Sequence, residues 1–409
     1  MPVLRAISTL YTCAARGSQS DLFPISDAAL AWEDETIRWV GPEADLPSEY
    51  RDWESQDAGG LLVVPGLVDC HTHLAFGGWR AEEFELRIRG KSYLEIAASG
   101  GGIASTVAAT RKAGTEELRR LTADRLLGMA RLGVTTVEAK SGYGLSLEHE
   151  LRLLEVYRDV ARGSQRLVPT LLAAHVVPPD YQDRREEYIR LVIEEIIPKA
   201  AAGGLARFCD VFVEERAFTV QEARRILRAG QTQGLGAKLH ADQITSGGGA
   251  ELAAELGAVS ADHLERISGE GIRRVAAAGV TAVSLPFASL YLNVTPLPAR
   301  RLIEAGVPVA VATDFNPGSA PSYHLPMALT LACTLQRMTP AEALKGATII
   351  AARAIGLEAQ VGSLEPGKSA DFAVIEAESA TQWLYHLRDN ACVRTVARGR
   401  EIWNARREK

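Results

Sequence analysis

Cysteine and long apolar runs are both scarce in this sequence of 409 residues. The five cysteines are scattered and odd in number, and none forms a Cys-x-x-Cys pair, which argues against a disulfide framework and against a zinc knuckle. No apolar run approaches the roughly 18 residues that a membrane-spanning helix needs, and residues 1–20 lack the apolar segment of a signal peptide. We therefore expect a cytoplasmic protein with reduced thiols.

A basic surface is also missing. The chain has 45 Lys and Arg against 51 Asp and Glu, which gives a formal net charge of −6, and the two signs are interspersed. Without a basic stripe or a polybasic arm, we expect neither nucleic acid nor an anionic membrane as a partner. Hydrophobic residues make up 47% of the chain, which is enough for a large core.

The order of the apolar segments predicts an α/β fold of the (β/α)₈ TIM-like barrel type. Eight strand-like runs occur at residues 62–69, 134–139, 167–174, 209–213, 237–239, 258–261, 281–285 and 307–313. Helix-like stretches lie between them at residues 116–131, 147–162, 188–202, 220–232, 248–256, 269–278 and 299–305. Strands that alternate with helices in this number imply a closed barrel. An open doubly wound sheet is the alternative, but it usually has fewer strands, and no Gly-x-Gly-x-x-Gly motif follows the first strand.

The two ends of the chain have the character of short strands instead. These strands are predicted at residues 3–10, 28–32, 36–40, 370–375 and 393–402. We expect residues 1–60 and 360–409 to form one small, composite β-sandwich domain. It would lie beside a barrel made of residues 61–359.

The chemistry begins at the end of the first barrel strand, where residues 63–73 read VVPGLVDCHTH. Residues i and i+2 of a strand point to the same face, so His71 and His73 are directed toward one point. A divalent metal requires this geometry. Hydrogen bonding at the strand end is the alternative explanation for the pair. Cys70 points to the other face, and we interpret it as a buried core thiol.

Further polar residues follow the other predicted strands, and in a βα barrel all of these strand ends share one mouth. Five of the eight histidines lie at such ends, namely His71, His73, His175, His240 and His263. Asp314 follows the last strand, and together with His71, His73 and His240 it suits one Zn²⁺ or Fe²⁺ with a position left for water. Lys140, Glu214 and Glu215 are candidates for recruiting a second ion. We expect a single metal, and we interpret Lys140 as an ordinary charged loop residue.

With these residues in place, the sequence resembles the imidazolonepropionases of histidine degradation, a family within the amidohydrolase superfamily. The matching stretches are residues 65–73 (PGLVDCHTH), 77–85 (GGWRAEEFE), 99–103 (SGGGI), 140–145 (KSGYGL), 238–243 (KLHADQ), 260–264 (SADHL) and 312–319 (ATDFNPGS). They extend over nearly the whole chain. His-x-His marks only the superfamily, whereas the motifs KSGYG and TDFNPGS are much more specific.

The resemblance implies hydrolysis of the cyclic amide of 4-imidazolone-5-propanoate to N-formimidoyl-L-glutamate, with one divalent metal, Zn or Fe, per subunit. It implies that His71, His73, His240 and Asp314 bind the metal and that His263 and Asp314 are catalytic. The substrate contacts that it implies are Arg80, Tyr143, His175, Gln243, Asn316, Gly318 and Ser319. By analogy with many such barrels, we also consider a homodimer.

A cyclic amide is hydrolysed slowly by water alone, so the predicted mechanism needs a metal and several catalytic side chains. A metal lowers the pKa of water to about 7, and the resulting hydroxide attacks the ring carbonyl. His263 then stabilises the oxyanion, and Asp314 passes the proton to the ring nitrogen. Arg80 suits the propanoate tail, because a guanidinium can bind a carboxylate through two parallel hydrogen bonds. A surface salt bridge with Glu82 or Glu83 is the alternative for Arg80.

Some positions depart from the family pattern. Gln243 stands where some members carry Glu, and because an amide cannot act as a general base, we expect Gln243 to orient the ring. The segments at 284–287 and 320–324 also look less typical. Another amidohydrolase, such as a nucleobase deaminase or a cyclic amidase, is the rival among enzymes, but a deaminase would have no evident use for Arg80. An inactive barrel that serves as a binding scaffold is the rival outside enzymes, yet such barrels lose metal ligands and none is missing here.

Overall fold

Two β-sheets organise the chain in its computed structural model, which describes residues 1–91, 95, 101–161, 163 and 165–407. Their strands are β1 Pro2–Tyr11, β2 Pro24–Glu33, β3 Thr36–Pro42, β4 Glu54–Pro65, β5 Leu67–Asp69, β6 Val134–Lys140, β7 Arg166–Ala174, β8 Phe208–Val213, β9 Gly236–Ala241, β10 Ser260–His263, β11 Thr281–Ser284, β12 Val309–Val311, β13 Phe372–Ile375, β14 Cys392–Ala397 and β15 Arg400–Asn404. Strands β5 to β12 form an eight-stranded parallel sheet in chain order, and the other seven form a separate sheet. The predicted α/β barrel and the predicted union of the two chain ends are both confirmed.

The helices lie between the barrel strands in the chain or follow the last of them. They are α1 Ala81–Ile88, α2 Ile103–Lys112, α3 Thr115–Arg131, α4 Leu147–Val160, α5 Arg185–Leu191, α6 Ile197–Ala202, α7 Val220–Thr232, α8 Gly249–Leu256, α9 Gly269–Ala278, α10 Pro286–Leu292, α11 Ala299–Glu304, α12 Leu325–Gln336, α13 Pro340–Gly346, α14 Ile349–Ala354 and α15 Ala380–Tyr385. Ser99 and Gly100 of the glycine-rich motif, and Arg162 at a predicted helix end, lie outside the described residues. In the part of the chain that is described, no helix combines the length and apolarity needed to cross a membrane.

The helices predicted between the barrel strands are present, with one irregularity. The predicted helix at 188–202 consists of α5, a π-helical turn at Val192–Ile196, and α6. Pro198 explains the break, because proline has no N–H to donate to the carbonyl four residues earlier. Among the helices between the barrel strands, α1, α2 and α10 were not predicted. No residue of α1 is buried, so no apolar periodicity marks it in the sequence.

The first predicted barrel strand, at residues 62–69, divides between the two sheets. Strand β4 continues through Pro65 and pairs with β1 and β13 of the terminal sheet, so only β5 belongs to the barrel. Gly66 makes the change of sheet, and a Cβ on it would lie 2.3 Å from Thr135 Oγ1. Both parts are buried and apolar, so the sequence does not mark the break. The predicted division of the chain at residue 60 stays a prediction.

The barrel closes through the backbone that carries the histidine pair. A parallel β-bridge joins Thr72 to Phe315. On either side of it, Asp314 N donates to His71 O at 3.0 Å and His73 N donates to Phe315 O at 2.9 Å. These hydrogen bonds connect the first barrel strand to the segment after the last one. Barrel closure therefore places His71 and His73 next to Asp314.

The terminal sheet interleaves strands from both ends of the chain in the order β15-β14-β13-β4-β1-β2-β3. Strand β4 is antiparallel to β13 and parallel to β1. This sheet has its own apolar cluster, in which the ring centroids of Trp32 and Phe372 are 5.2 Å apart. It also contacts the barrel, where Thr395 Oγ1 donates to Ala130 O at 2.8 Å. The composite unit is thus a single seven-stranded sheet.

All five cysteines are free, and four of them are buried. Cys70 lies fully buried in an apolar cluster, as predicted for a core thiol. Burial raises the pKa of the Cys70 thiol well above its usual value, so the thiol is uncharged at neutral pH.

Candidate metal centre

Three imidazoles and one carboxylate meet where the first, fifth and eighth barrel strands end. The Nε2 atoms of His73 and His240 are 3.4 Å apart. Asp314 Oδ1 lies 3.4 Å from His71 Nε2 and 3.6 Å from His73 Nε2. One ring nitrogen of each histidine lies within 4.8 Å of the other two. None of the four residues is more than 3% exposed, so the structure brings the predicted ligand set together in a buried cluster.

These separations match the size of a divalent cation. Ligands at about 2.0–2.1 Å from a tetrahedral zinc ion stand roughly 3.3–3.4 Å from one another. Within the described part of the chain, His71 Nε2 is buried and makes no hydrogen bond, so a metal at this nitrogen would displace no protein partner. Three nitrogens and one oxygen are a donor set for Zn²⁺ and for Fe²⁺. The residues present therefore fit one divalent metal.

Two aspartates hold the histidine rings from behind. Asp262 Oδ2 accepts a hydrogen bond from His71 Nδ1 at 2.6 Å, and Asp210 Oδ2 lies 3.0 Å from His240 Nδ1. A carboxylate in this position orients a metal-binding histidine and leaves its other nitrogen for the metal. Neither aspartate was predicted to have a role in the site. The sequence does contain an indication for Asp210. It is the one charged residue in the otherwise apolar strand β8, and a buried charge needs a partner.

Lys140 lies among the same carboxylates. The prediction of an ordinary loop residue is wrong, since Lys140 is the last residue of β6 and is fully buried. Its ammonium group lies 2.7 Å from Asp210 Oδ2, 3.1 Å from Glu138 Oε1 and 3.2 Å from Asp262 Oδ2. Burial lowers the pKa of Lys140, but these carboxylates outweigh burial and hold the pKa well above its usual value. Lys140 precedes a glycine-rich loop in the sequence, and such a position is typical of the surface. The strand instead directs the Lys140 side chain into the barrel.

Glu214 anchors the loop after β9 and is not directed at a second ion. Its carboxylate accepts hydrogen bonds from Ile244 N at 2.9 Å and Thr245 N at 3.2 Å, and also from the Thr245 hydroxyl. Gln243 lies in this loop, half-buried, three residues after His240. The loop that carries Gln243 is therefore tied to the end of β8.

Burial and neighbouring charge set the protonation of the site. Burial lowers the pKa of His240 to about 4 and that of His175 to about 3, so both rings are neutral at pH 7. Burial also lowers the pKa of His71, but the carboxylates of Asp262 and Asp314 outweigh it and raise the pKa to about 9. Burial raises the pKa of Asp314, but His71 outweighs burial and holds it below its usual value. A metal binds neutral imidazole and ionised carboxylate, and it favours the neutral form of His71.

His175 and Tyr143 border the metal ligands on one side. The His175 ring stacks on His73, with centroids 5.3 Å apart and planes at 17°. Its Nδ1–H donates to Gly142 O at 3.0 Å, which leaves Nε2 as an acceptor. The Tyr143 ring lies 5.6 Å from His73 and 5.5 Å from His175. Both predicted substrate contacts therefore lie at the wall of the site.

Glu150 holds the loop that presents Tyr143. Its Oε1 accepts hydrogen bonds from Gly144 N and Leu145 N at 2.8 Å each, and from Gly142 N at 3.2 Å. A Cβ on Gly144 would lie 2.5 Å from Glu150 N, so glycine is required there. Glu150 was not predicted, because nothing in its local sequence pattern distinguishes it from the exposed glutamates of α4.

The side chain of Arg80 is largely buried beside the loop after β12. Its guanidinium lies so close to Gly318 that a Cβ on that glycine would stand 1.0 Å from Arg80 Nη2. The Arg80 side chain is 8% exposed, and Glu83 lies 3.8 Å away. Among the residues that the structure describes, Arg80 Nε is buried and has no hydrogen-bond partner. The alternative of a surface salt bridge accounts only for this long contact, so Arg80 retains donors for another acceptor.

The loop after β12 links Arg80 to the predicted metal ligand Asp314. Asn316 Oδ1 accepts hydrogen bonds from Gly318 N and Ser319 N at 2.8 Å each, and Asn316 Nδ2 donates to Asp314 O at 2.6 Å. Ser319 Oγ lies 3.4 Å from Asp314 Oδ2 and donates to it. Asn316 thus shapes the loop, and Ser319 reaches the oxygen of Asp314 that faces away from the histidines.

His263 lies near the metal ligands in a strained turn. Its ring centroid is 5.4 Å from that of His240 and 5.8 Å from that of His71. The φ angles of His263 and Leu264 are 78° and 65°, a conformation that costs about 1–3 kcal/mol per residue and concentrates at functional sites. The turn brings Glu265 back, with Oε1 3.6 Å from His263 Nδ1. Glu265 was not among the predicted site residues, since only the turn brings it to His263.

Comparison with protein families and curated proteins gives consistent matches. The family model described as "Amidohydrolase family" matches residues 62–402. The chain is 48% identical to an imidazolonepropionase of Geobacillus kaustophilus over 390 residues, which are 94% of this chain and 92% of that protein. It is 50% identical to an imidazolonepropionase of Myxococcus xanthus over 374 residues, which are 90% of this chain and 89% of that protein.

Solved structures share the fold at much lower identity. The guanine deaminase of E. coli superposes with a TM-score of 0.74 at 17% identity, covering 99% of this chain and 100% of that one. An atrazine chlorohydrolase of Arthrobacter aurescens, complexed with zinc, superposes with a TM-score of 0.75 at 17% identity, covering 98% and 95%. At such identity, the likeness shows the fold alone.

Replacement of His240 by alanine removes one of the three imidazoles. We expect the metal content, measured by mass spectrometry of the dialysed protein, to fall from about one ion per chain to less than about a tenth. His386→Ala is the control, because His386 is an exposed histidine outside this cluster, and it should keep its metal. Equal metal contents in the two variants would contradict the assigned site.

Proposed function

We infer that this chain, which belongs to the amidohydrolase family and within it to the imidazolonepropionases, hydrolyses the cyclic amide of 4-imidazolone-5-propanoate to N-formimidoyl-L-glutamate. This reaction is the third step of L-histidine degradation. The observation that carries the proposal is the buried cluster of His71, His73, His240 and Asp314, with a buried arginine nearby.

The chemistry requires an activated water molecule. These four residues would hold one divalent cation, Zn²⁺ or Fe²⁺, which would supply a water molecule with a pKa of about 7 and polarisation of the ring carbonyl. Asp314 accepts the proton of the attacking water and delivers it to the ring nitrogen as the bond between carbonyl carbon and nitrogen breaks. Asp314 Oδ2 is the oxygen suited to this transfer, because Oδ1 faces His71 and His73 while Oδ2 faces the Ser319 hydroxyl.

His263 stabilises the charge that develops on the carbonyl oxygen. A nitrogen of its ring lies within 4.8 Å of donor atoms of His71 and Asp314, which is close enough to contact a reacting carbonyl there. The Glu265 carboxylate, 3.6 Å from His263 Nδ1, favours the ring orientation in which the other nitrogen faces the mouth. A fixed hydrogen-bond donor at a developing oxyanion lowers the barrier without reorganisation.

The remaining residues select the substrate. Arg80 binds the propanoate carboxylate through paired N–H groups, and Gly318 leaves the space that this guanidinium occupies. Tyr143 and His175 contact the imidazolone ring from the side of His73. Gln243 orients the ring by hydrogen bonds, because its amide can donate and accept but cannot act as a base.

Turnover of 4-imidazolone-5-propanoate by the purified protein, followed as loss of its ultraviolet absorbance, tests the assignment. We expect turnover with the metal-loaded protein, loss of turnover on chelation, and recovery on addition of Zn²⁺ or Fe²⁺.

Asp314→Asn should lower kcat about 10²- to 10⁴-fold with an unchanged circular dichroism spectrum, because the amide cannot carry the proton. Activity retained by Asp314→Asn would remove Asp314 from the mechanism. Failure of the loaded protein to turn over this substrate would contradict the substrate assignment.

Arg80→Met tests the contact with the carboxylate. We expect kcat/KM for the propanoate to fall roughly 10- to 100-fold, mainly through KM, since charge-assisted hydrogen bonds are lost. The corresponding propanamide is the control substrate, for which the variant and the unaltered protein should differ much less. An equal loss with both substrates would show that Arg80 does not recognise the carboxylate.

His263→Asn tests stabilisation of the oxyanion. Asparagine tolerates positive φ, so the turn is kept, but its shorter side chain does not extend as far as imidazole. We expect kcat to fall about 10²- to 10³-fold, with KM and metal content unchanged. If the variant loses its metal, His263 is a ligand instead. If kcat is unchanged, the proposed role is wrong.

A further inference from the structure

A layer of five charged side chains lies inside the barrel, on the Nδ1 side of the metal-binding histidines. This charged layer consists of Glu138, Lys140, Asp210, Lys238 and Asp262, each fully buried. Buried charges are stable only when they are paired and hydrogen-bonded. None of these five residues was predicted to belong to the site, so their arrangement needs an explanation.

Lys140 occupies the one position in this layer that connects two metal ligands. Its ammonium contacts Asp210 Oδ2 at 2.7 Å and Asp262 Oδ2 at 3.2 Å. The same two oxygens contact the ligands, because Asp210 Oδ2 lies 3.0 Å from His240 Nδ1 and Asp262 Oδ2 lies 2.6 Å from His71 Nδ1. A single ammonium group therefore bridges the carboxylates that orient His71 and His240.

Lys238 provides an internal comparison. It is as deeply buried as Lys140 and also pairs with Glu138, at 3.2 Å. Its other contact is a hydrogen bond to Ala354 O at 3.0 Å. Among the described carboxylates, only Glu138 lies within ion-pairing distance of Lys238. Lys238 thus shares the burial and the charge of Lys140 but does not touch the aspartates that hold the histidines.

We propose that Lys140 is a positioning residue for the metal centre, whose ammonium group holds Asp210 and Asp262, and through them His240 and His71, in the geometry that binds the metal. The other contacts of the aspartates do not replace this bridge. Asp262 Oδ1 accepts from Ser260 Oγ at 2.6 Å. Asp210 Oδ1 accepts from His240 N at 3.1 Å and also lies 3.1 Å from His240 Nδ1, so each of these contacts fixes one aspartate alone. The inference rests on the proposed metal site and adds how its geometry is maintained.

Metal affinity by itself does not test this inference. Loss of a nearby positive charge favours binding of a cation, whereas misorientation of the histidines opposes it, so the two effects partly cancel. The visible absorption bands of bound Co²⁺ depend on ligand geometry, and they are the suitable measurement.

The experiment compares two matched double variants loaded with Co²⁺, Lys140→Met/Glu138→Gln and Lys238→Met/Glu138→Gln. Each double variant removes one buried positive and one buried negative charge. The net charge of the layer is therefore unchanged, and neither variant leaves an additional unbalanced charge that would oppose folding. Only the first removes the contacts to Asp210 and Asp262. The single variant Lys140→Met provides a second measurement of the same effect.

We expect Lys140→Met/Glu138→Gln to shift the Co²⁺ bands and to lower kcat about 10- to 100-fold, which is the usual effect of removing support behind metal ligands. The Lys238→Met/Glu138→Gln protein should keep the bands of the unaltered protein. Identical bands in both double variants, or equal shifts in both, would overturn the role of Lys140. Binding of Co²⁺ and turnover by the unaltered protein test the proposed function separately.

Discussion

Buried charge inside a parallel barrel is the constraint on which the rest of this structure depends. Carboxylates and ammonium groups removed from water must be paired, and in the charged layer the three carboxylates contact the ammonium groups of Lys140 and Lys238. Because Asp210 and Asp262 also hold His240 and His71, the arrangement that makes burial tolerable orients the imidazoles as well. Stability and ligand geometry therefore depend on the same contacts.

The backbone contributes a second, independent restraint. The hydrogen bonds that close the barrel involve His71, His73 and Asp314 themselves, so these residues cannot separate without opening the barrel. His71 is thus fixed twice, once through its carbonyl and once through Nδ1. Such double fixing reduces the reorganisation that metal binding or a reaction would otherwise require.

Loops at the mouth are held by single side chains that serve their backbone. The Glu150 carboxylate accepts hydrogen bonds from three backbone N–H groups of the loop that carries Tyr143. Asn316 Oδ1 likewise accepts hydrogen bonds from the backbone N–H groups of Gly318 and Ser319. A barrel of this kind supports many reactions, and the loops decide which one. In this chain the loops place a buried arginine and two aromatic rings around one cluster of ligands.

The sequence by itself determined the barrel and the chemical nature of its centre. Parallel strands buried on both faces must be continuous apolar runs, and these runs marked all eight strands and put His71, His73, His240 and Asp314 at their ends. The exact break at Gly66 and the helix α1 could not be predicted, because neither changes the local apolar pattern. Only the tertiary structure decided the partners of these ligands. Lys140 contacts Asp210 and Asp262 because strand order and register bring distant residues together. Local sequence patterns do not encode the register between distant strands. From the sequence, Lys140 was therefore interpreted as an ordinary charged residue before a loop and not as a buried lysine that bridges two aspartates.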